Sequence, residues 1–364
     1  MTRSSLHIAV IGAGIVGASI AWHLARRGAS VDVFEEGPRP ASGVTGRAFG
    51  WINSINGSPD TDPVRYRLLR AGVEDYRRLA TVLPDALGDA RPGSLVWLET
   101  AEETEALVRS HQAAGAAVEL VDAATIARWE QHLRDVPPCA AYSPEDLALS
   151  PAALTQAFAK AAEVAGAAMH FGEAIIAVET ADNGVTGVRT ANGFLPADVV
   201  VLAAGVATNE LASALGADIG LESSPAVLLR YSASEPFISR ILRGPGLEVR
   251  QWHDHSLLVA AGYRGDATED APDAIGRRAL EKIRKRLAAP GDILLTEAVV
   301  GQRPAFADGL PRLGFLPGVD GAYVAAGHPG IILAPLMGRL AAEEIIDGER
   351  SGLIAAPGQN RRSQ

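Results

Sequence analysis

The sequence predicts an α/β chain, α+β overall, with a Rossmann-like nucleotide-binding domain and a second domain built on antiparallel sheet. Three observations predict it. Residues 6–11 form an apolar run that passes straight into Gly12-Ala13-Gly14-Ile15-Val16-Gly17 and a helical stretch. Strand and helix signals alternate at both ends of the chain, as parallel βαβ units require. Strand-like runs with few helices between them fill the middle, as an antiparallel sheet requires. With 364 residues, 48% of them hydrophobic, the chain is long enough for two domains.

The elements follow in order. Residues 6–11, apolar and partly β-branched, read as a buried parallel strand. Residues 15–27 read as a helix that packs through Ile15, Ile20 and Leu24. Arg26 and Arg27 complement the negative end of its dipole, and Gly28 stops it. The next strand, 31–34, ends at Glu35 and completes a βαβ unit. Residues 41–56 are rich in Gly, Ser and Thr and read as loop. Leu68, Leu69, Val73, Tyr76 and Leu79 lie near helical spacing within 66–83. Residues 95–98 are a strand candidate, and 102–115 and 123–129 read as helices. Ser150 and Pro151 supply the N-cap and first turn of another helix, which Gly166 stops. Strands are expected at 175–179, 187–190 and 199–202, with a turn at Asn192-Gly193. The middle strands are 225–232, 247–251 and 256–261, followed by a charged helix at 277–288. Val324-Ala325-Ala326-Gly327-His328 is similar to the segment 201–205, and a last helix is expected over 335–347.

Composition excludes several classes. The net charge is −10, with 43 acidic and 33 basic residues and no basic stripe, so nucleic acid is not an expected partner. The basic residues are nearly all arginines; the lysines are Lys160, Lys282 and Lys285. A single cysteine, Cys139, forms no disulfide within the chain and builds no zinc or iron–sulfur cluster, and a reducing cytoplasm suits it best. His253 and His255 lack the ligand set of a metal site. Arg3 and the uncharged run 4–24 imitate a secretion signal, but the spaced glycines and Arg26-Arg27 favour a nucleotide fold. No uncharged segment is both long and apolar enough to span a bilayer.

The glycine run has a physical reading. Gly12 lets the chain turn sharply off the strand, Gly14 lets main-chain N–H groups approach a pyrophosphate, and Gly17 lets the helix pack closely on the sheet. The helix N-terminus then offers its positive dipole end to the phosphates. Glu35, placed after the second strand, accepts hydrogen bonds from ribose hydroxyls and disfavours a 2′-phosphate.

Four segments together resemble the D-amino-acid oxidase superfamily of FAD-dependent oxidoreductases, the group of glycine oxidase, sarcosine oxidase and amino-acid dehydrogenases. The first is Val10 to Gly17 with Glu35 and Glu36. The second is the loop 42–50, with Ser42, Thr45, Arg47, Ala48 and Gly50. The third is Ala203-Ala204-Gly205. The fourth joins Gly301-Gln302-Arg303-Pro304, Asp308-Gly309-Leu310-Pro311 and Gly327-His328-Pro329-Gly330-Ile331-Ile332-Leu333.

The resemblance implies an FAD laid along Gly12, Ala13, Gly14, Ile15, Val16 and Gly17, with the loop 42–50 along pyrophosphate and flavin. It implies main-chain N–H groups of 327–333 at the flavin pyrimidine edge. Ile175 matches a position of backbone contact to adenine, and a core role suits it equally. Arg303 matches the arginine that pairs with a substrate carboxylate; a structural salt bridge is its alternative. Trp51, Tyr263 and His328 are candidates to shape the pocket. Trp51 equally suits core packing, Tyr263 with Arg264 the end of a strand, and His328 a structural role.

The implied reaction is oxidation of an amine or amino acid by hydride transfer to flavin N5, giving an imine that hydrolyses. Oxidation of a 2-hydroxy acid or polyol is the alternative within the superfamily, and an FAD monooxygenase a more distant one. The acceptor is O₂ or another oxidant, and a homo-oligomer is compatible with everything above. The FAD domain is expected to comprise 1–80, 147–225 and 300–364, and the substrate domain 81–146 and 226–299. The sequence also departs from the group. No cysteine lies in the C-terminal region where some relatives attach FAD covalently, so the FAD is expected to be noncovalent. No lysine lies in 256–263, where sarcosine oxidases carry one for oxygen. Only Pro329 separates His328 from Gly330, a shorter turn than in glycine oxidases.

Overall fold

The computed structural model describes residues 6–265 and 270–359. A six-stranded sheet runs in the order Arg312–Phe315, Ala322–Ala326, Val199–Leu202, His7–Ile11, Ser30–Glu35, Ala168–Phe171. Every pairing in it is parallel except that of Arg312–Phe315 with Ala322–Ala326. Val10 stands opposite both Val33 and Val201, so the apolar run at the start of the chain lies inside the sheet, as its lack of alternation predicts.

Helices cover one face. Ile8, Val10 and Val201 pack with Ile20 and Leu24 of helix Ile15–Ala25, Phe158 of Pro151–Val164 and Leu336 of Gly330–Ala342. On the other face Ala9, Ile11, Val200 and Leu202 meet Val188 and Val178 of a three-stranded antiparallel sheet, with Ile175 just before it. Helix Ile15–Ala25 is buried nearly all round, which accounts for the uncharged run that imitates a secretion signal. Arg3 and Ser4 lie outside the described residues. Among the described residues no helix is long and apolar enough to cross a membrane.

A nine-stranded sheet builds the rest. Its order is Leu294–Phe306, Leu221–Ser232, Leu257–Gly262, Leu247–Gln251, Ile241–Gly244, Arg91–Val96, Cys139–Ala148, Trp51–Ile52, with Glu119–Asp122 also paired to Cys139–Ala148. Alternation gives its strands two faces. Val227, Leu229, Leu247, Val249, Leu257 and Val259 form a core with Ile275 and Ile283 of helix Pro272–Arg286. The opposite face carries Ile241, Val96, Ala141 and Ala148, packed under Phe49 and Trp51.

Several expectations need correction. The segment 41–56 contains a short helical turn, Val44–Arg47, and a strand, Trp51–Ile52, which the bond pattern with Ala148 and Leu147 creates. The strand expected at 175–179 is Ala177–Ala181, so Ile175 precedes it. Ala168–Phe171, Glu119–Asp122, Cys139–Ala148, Ile241–Gly244, Leu294–Phe306 and Arg312–Phe315 are strands that the reading of the sequence missed. Leu294–Phe306 carries Pro304, which an edge strand tolerates because one side of it needs no ladder bond.

The last helix begins at Gly330, not at residue 335, and closes in a wider turn at Glu343–Asp347. Pro335 sits inside it and has no N–H for the carbonyl of Ile331 four residues back. The Tyr76 hydroxyl donates to that carbonyl instead, at 2.7 Å. The proline breaks the local rule, and a side chain 255 positions from Ile331 repairs it.

Candidate active site

The parallel strands of the first sheet share one carboxyl-terminal edge. Gly12, Glu35, Ala203 and Gly327 follow His7–Ile11, Ser30–Glu35, Val199–Leu202 and Ala322–Ala326 or end them there. Open parallel sheets bind their ligands at such an edge. Gly12 has φ +103°, and a Cβ on it would lie 2.6 Å from the Ala203 carbonyl oxygen. A Cβ on Gly17 would lie 2.0 Å from the Gly12 carbonyl oxygen, so helix and turn meet main chain to main chain. The Ile15 N–H donates to Thr45 Oγ1 at 3.2 Å, which seats the loop 42–50 over the helix N-terminus.

The two ends of the polypeptide meet at this edge. A Cβ on Gly330 would stand 3.5 Å from Val16 Cγ2, and one on Gly301 would stand 3.1 Å from Val44 Cγ2. Helices Ile15–Ala25 and Gly330–Ala342 both start without a capping side chain, at Gly14 and Pro329. Asp62, Thr100 and Ser150 do cap the helices that follow them. Two helix N-termini therefore present main-chain N–H groups to the same edge, where anionic or electron-rich groups are stabilised. Glu35 holds its carboxylate at the turn by accepting from Ala13 N–H and Gly37 N–H, each at 2.9 Å.

Arg303 lies on the edge strand, opposite Ser224 and on the same strand face as Gly301, which touches the loop 42–50. Its Nε donates to the Ser224 carbonyl at 2.9 Å and Nη2 to Ser224 Oγ at 3.1 Å. Among the described residues no carboxylate pairs with it, and burial lowers its pKa. His328 is held down to about 4 by burial, then by the Arg303 and Arg65 cations, so it is neutral at pH 7. Arg65 Nη1 donates to the Gly309 carbonyl at 3.0 Å, on the turn whose Pro311 abuts Gly327.

Trp51 lies beneath the loop rather than in an open pocket. Its indole Nε1 donates to Asp146 Oδ2 at 2.9 Å, and Ser94 and Ser143 hydroxyls donate to the same carboxyl at 2.6 and 2.8 Å. Burial raises Asp146 to about 6 against these three bonds. A carboxyl raised this way favours the fold when protonated. Its contribution is present below pH 4 and is lost as pH rises from about 4 to about 6. The unfolding free energy of the wild type relative to Asp146→Asn should fall by roughly 3 kcal/mol across that window and stay level above it. Denaturant titrations at pH 4, 5, 6 and 7 check this; a difference independent of pH would refute it.

The other residues named from the sequence are placed as follows. Gly50 has φ +76°, with the Leu149 carbonyl 2.2 Å from where its Cβ would be. Ser42 Oγ donates to the Arg39 carbonyl at 2.6 Å. Glu36 and Arg47 are exposed, and Ala48 is half-buried beside Phe49. Ala204 Cα lies 3.0 Å from a Gly12 Cβ, and Gly205 has φ +61°. Ile175 is half-buried against the core below the three-stranded sheet. Ile331 is half-buried and Ile332 buried. Tyr263 packs against the core on the sheet face opposite Phe49 and Trp51. Arg65, Asp146 and Arg250 were missed. Their partners lie far along the chain, so no local pattern marks them.

A dinucleotide cleft at the parallel edge, closed by segments from the N-terminal and C-terminal parts of the chain and faced by an antiparallel sheet with an arginine that no carboxylate pairs among the described residues, defines a dinucleotide-dependent redox enzyme. The family model described as FAD dependent oxidoreductase matches residues 7–344, and the chain belongs to that family. A glycine oxidase of Bacillus licheniformis is 28% identical over 93% of this chain and 92% of that one. The crystal structure of glycine oxidase from Geobacillus kaustophilus superposes with a TM-score of 0.80 at 24% identity, over 96% of each chain. That of L-proline dehydrogenase from P. horikoshii gives 0.83 at 22%, over 96% of this chain and 95% of that one.

The cofactor is FAD, and the residues present fit it. Gly12, Gly14 and Gly17 leave the turn bare of side chains, and Gly14 faces only Thr45 Oγ1 at 3.4 Å from its would-be Cβ. Glu35, held at the turn by the Ala13 N–H, would meet the ribose, and two uncapped helix starts would supply N–H donors. Among the described residues no group of side chains is arranged to hold a metal.

Proposed function

We propose that this chain oxidises the C–N bond of an amine or amino acid to an imine, which then hydrolyses. Residues 1–80, 147–225 and 300–364 would form the FAD domain, and 81–146 and 226–299 the substrate domain. Arg303 carries the reading. Of its five N–H groups two serve Ser224, and three remain for a substrate carboxylate. Fixed by Ser224, the planar fork would orient the α-carbon without further reorganisation. FAD, when bound, accepts the hydride that leaves that carbon.

The neutral imidazole of His328 adds no second cation to compete for the carboxylate, and can serve as hydrogen-bond donor or acceptor to the substrate nitrogen. A neutral amine gives up hydride without a protein base, so positioning by Arg303 is the main contribution of the chain. The FAD is held noncovalently in this reading. Cys139 is buried at the opposite end of its strand from Ala148, the residue that pairs with Trp51. The three lysines are exposed on helices Pro151–Val164 and Pro272–Arg286, which favours an acceptor other than O₂. The likeness to glycine oxidases supports an amino-acid substrate, and a reducing cytoplasm is the proposed location.

The test is an anaerobic titration of the purified holoenzyme with primary and secondary amino acids, following the flavin band at ~450 nm. Bleaching by amines supports the reading. Bleaching by 2-hydroxy acids alone would replace it, since Arg303 would hold their carboxylate equally well. Oxygen uptake compared with dye reduction identifies the acceptor.

A further inference from the structure

The nine-stranded sheet has two faces. One packs on helix Pro272–Arg286, and Val227, Leu229, Val249 and Val259 belong to it. Alternation puts Ser224, Ala226, Leu228 and Arg230 on the other. There Ser224 stands opposite Arg303, Ala226 opposite Gly301 and Gly262, Leu228 opposite Ala260, and Arg230 opposite Leu258. Leu258 pairs in turn with Arg250, so Glu248, two residues before it on Leu247–Gln251, shares this face. The face looks towards the cofactor loop. Arg250 Nε and Nη2 donate to the Phe49 and Leu149 carbonyls at 2.6 and 3.0 Å, and Gly301 abuts Val44 and Arg47.

Two poles of opposite charge stand on this face. Arg303 is the positive one, and Glu248 the negative one. Glu248 is half-buried, and among the described residues no donor hydrogen-bonds to its carboxylate; the nearest cation, Arg243 Nε, lies 3.6 Å from Oε2. Arg243 belongs to Ile241–Gly244, the next strand beyond Glu248 as counted from Arg303, so it does not stand between the poles. Its Nη1 donates to Asn56 Oδ1. The other cations of the face are committed, Arg250 to the two carbonyls and Arg230 to Asp254 and Glu297. Burial raises the Glu248 carboxyl, and the Arg243 cation offsets this only in part.

The floor between the poles is small: Ala226, Ala260 and Gly262, where a Cβ on Gly262 would meet nothing within 4 Å. Arg303 and Glu248 lie three strand spacings and four residues apart. At about 4.8 Å per spacing and about 3.4 Å per residue, their Cα atoms stand roughly 20 Å apart. Two long side chains reaching inwards over a bare floor narrow that span to the length of an extended amino acid. We propose that Glu248 is a specificity-determining residue of the substrate site, and that the substrate is an amino acid whose side chain ends in a cation, an ammonium or guanidinium, held by Glu248 while Arg303 holds the carboxylate. The assignment rests on the reading of the chain as an amino-acid oxidising enzyme. An apolar side chain of the same length would cover the Glu248 carboxylate without giving it a donor, and an acidic one would meet like charge; both are disfavoured.

In the experiment the FAD-loaded enzyme is mixed anaerobically with both enantiomers of lysine, ornithine, arginine, norleucine and glutamate, and the rate of flavin bleaching is followed against concentration. Norleucine is lysine without the terminal ammonium. At least one basic amino acid should exceed norleucine by about 10²-fold in apparent second-order rate constant, the scale on which a desolvated charge pair discriminates. In Glu248→Gln the ratio of that basic amino acid to norleucine should fall by about tenfold or more. The ratio is internal to one preparation, so partial loss of folded protein leaves it unchanged. The wild-type ranking decides alone if Glu248→Gln holds no flavin. Norleucine or glutamate bleaching the wild type as fast as every basic amino acid, or a ratio unmoved by Glu248→Gln, would overturn the proposal and leave amino-acid oxidation standing. Bleaching by no amino acid would overturn that underlying reading, and this one with it.

Discussion

Replacing Arg303 with glutamine is expected to lower kcat/KM for the best amino-acid substrate by about 10²–10³-fold, while the flavin absorbance of the pure protein stays as in the wild type. The magnitude follows from the chemistry of the pair. Truncating one partner of a buried charge pair costs about 3–4 kcal/mol, and each 1.4 kcal/mol is tenfold. Arg303 has the features of a cation kept for a ligand: it is half-buried, its Nε and Nη2 are oriented by Ser224, and no carboxylate of the described chain neutralises it. Glutamine keeps part of the hydrogen bonding to Ser224 and removes the charge. The expected signature is a rise in KM together with a fall in kcat, because the fork both binds the carboxylate and aligns the α-carbon. Arg303→Lys should recover charge but not the bidentate fork, and so restore only part of the loss. Activity of the glutamine variant within threefold of wild type would place the substrate carboxylate elsewhere.

Gly17→Ala is expected to have the largest effect on the fold and the cofactor together. The new Cβ would fall 2.0 Å from the Gly12 carbonyl oxygen and 3.3 Å from Ala203 Cβ. The first contact is with main chain, which cannot rotate out of the way, so helix Ile15–Ala25 must move off the strand it follows. That displacement should cost about 3 kcal/mol or more. It also carries the helix N-terminus away from the pyrophosphate position. The purified variant should therefore melt lower and hold little or no flavin, read from the ratio of visible to ultraviolet absorbance. Gly28→Ala is the control. Gly28 also ends this helix in a left-handed conformation, φ +87°, but a Cβ there meets nothing within 4 Å. Its cost should stay near 1 kcal/mol, with flavin retained. Gly17 itself is helical and carries no positive φ, so a Gly17→Ala variant that melts no lower than Gly28→Ala and keeps its flavin would refute the close approach.

Much of the cofactor cleft was legible along the chain because its parts are local. A glycine turn between a buried strand and a helix depends on neighbours within a few residues, and Gly12, Gly14, Gly17 and Glu35 stand where that spacing puts them. The helix beginning after Ser150 and the strand Val199–Leu202 were equally plain, one from its cap and proline, the other from an unbroken β-branched run. Where the reading failed, the local signal contradicted the tertiary outcome. Pro335 read as a helix start and lies inside the helix, because Tyr76 serves the carbonyl that the proline leaves without a donor. Leu294–Phe306, given no element beyond the motif at 301–304, is the longest strand among the described residues, held by twelve residue pairs with Leu221–Ser232.

The sequence by itself determined the class of the fold, since hydrophobic period, glycine spacing and cap chemistry act over short distances; the cofactor and the family came from the resemblance of four of its segments to a known superfamily. Only the tertiary structure decided that Trp51 leans on Asp146, that Arg65 reaches the Gly309 carbonyl, and that Arg250 ties the Phe49 carbonyl to that of Leu149. Those contacts join residues about 95 to 245 positions apart. Such partners are chosen by which faces of two sheets are pressed together, and that choice follows from packing the whole core and leaves no periodicity in the chain.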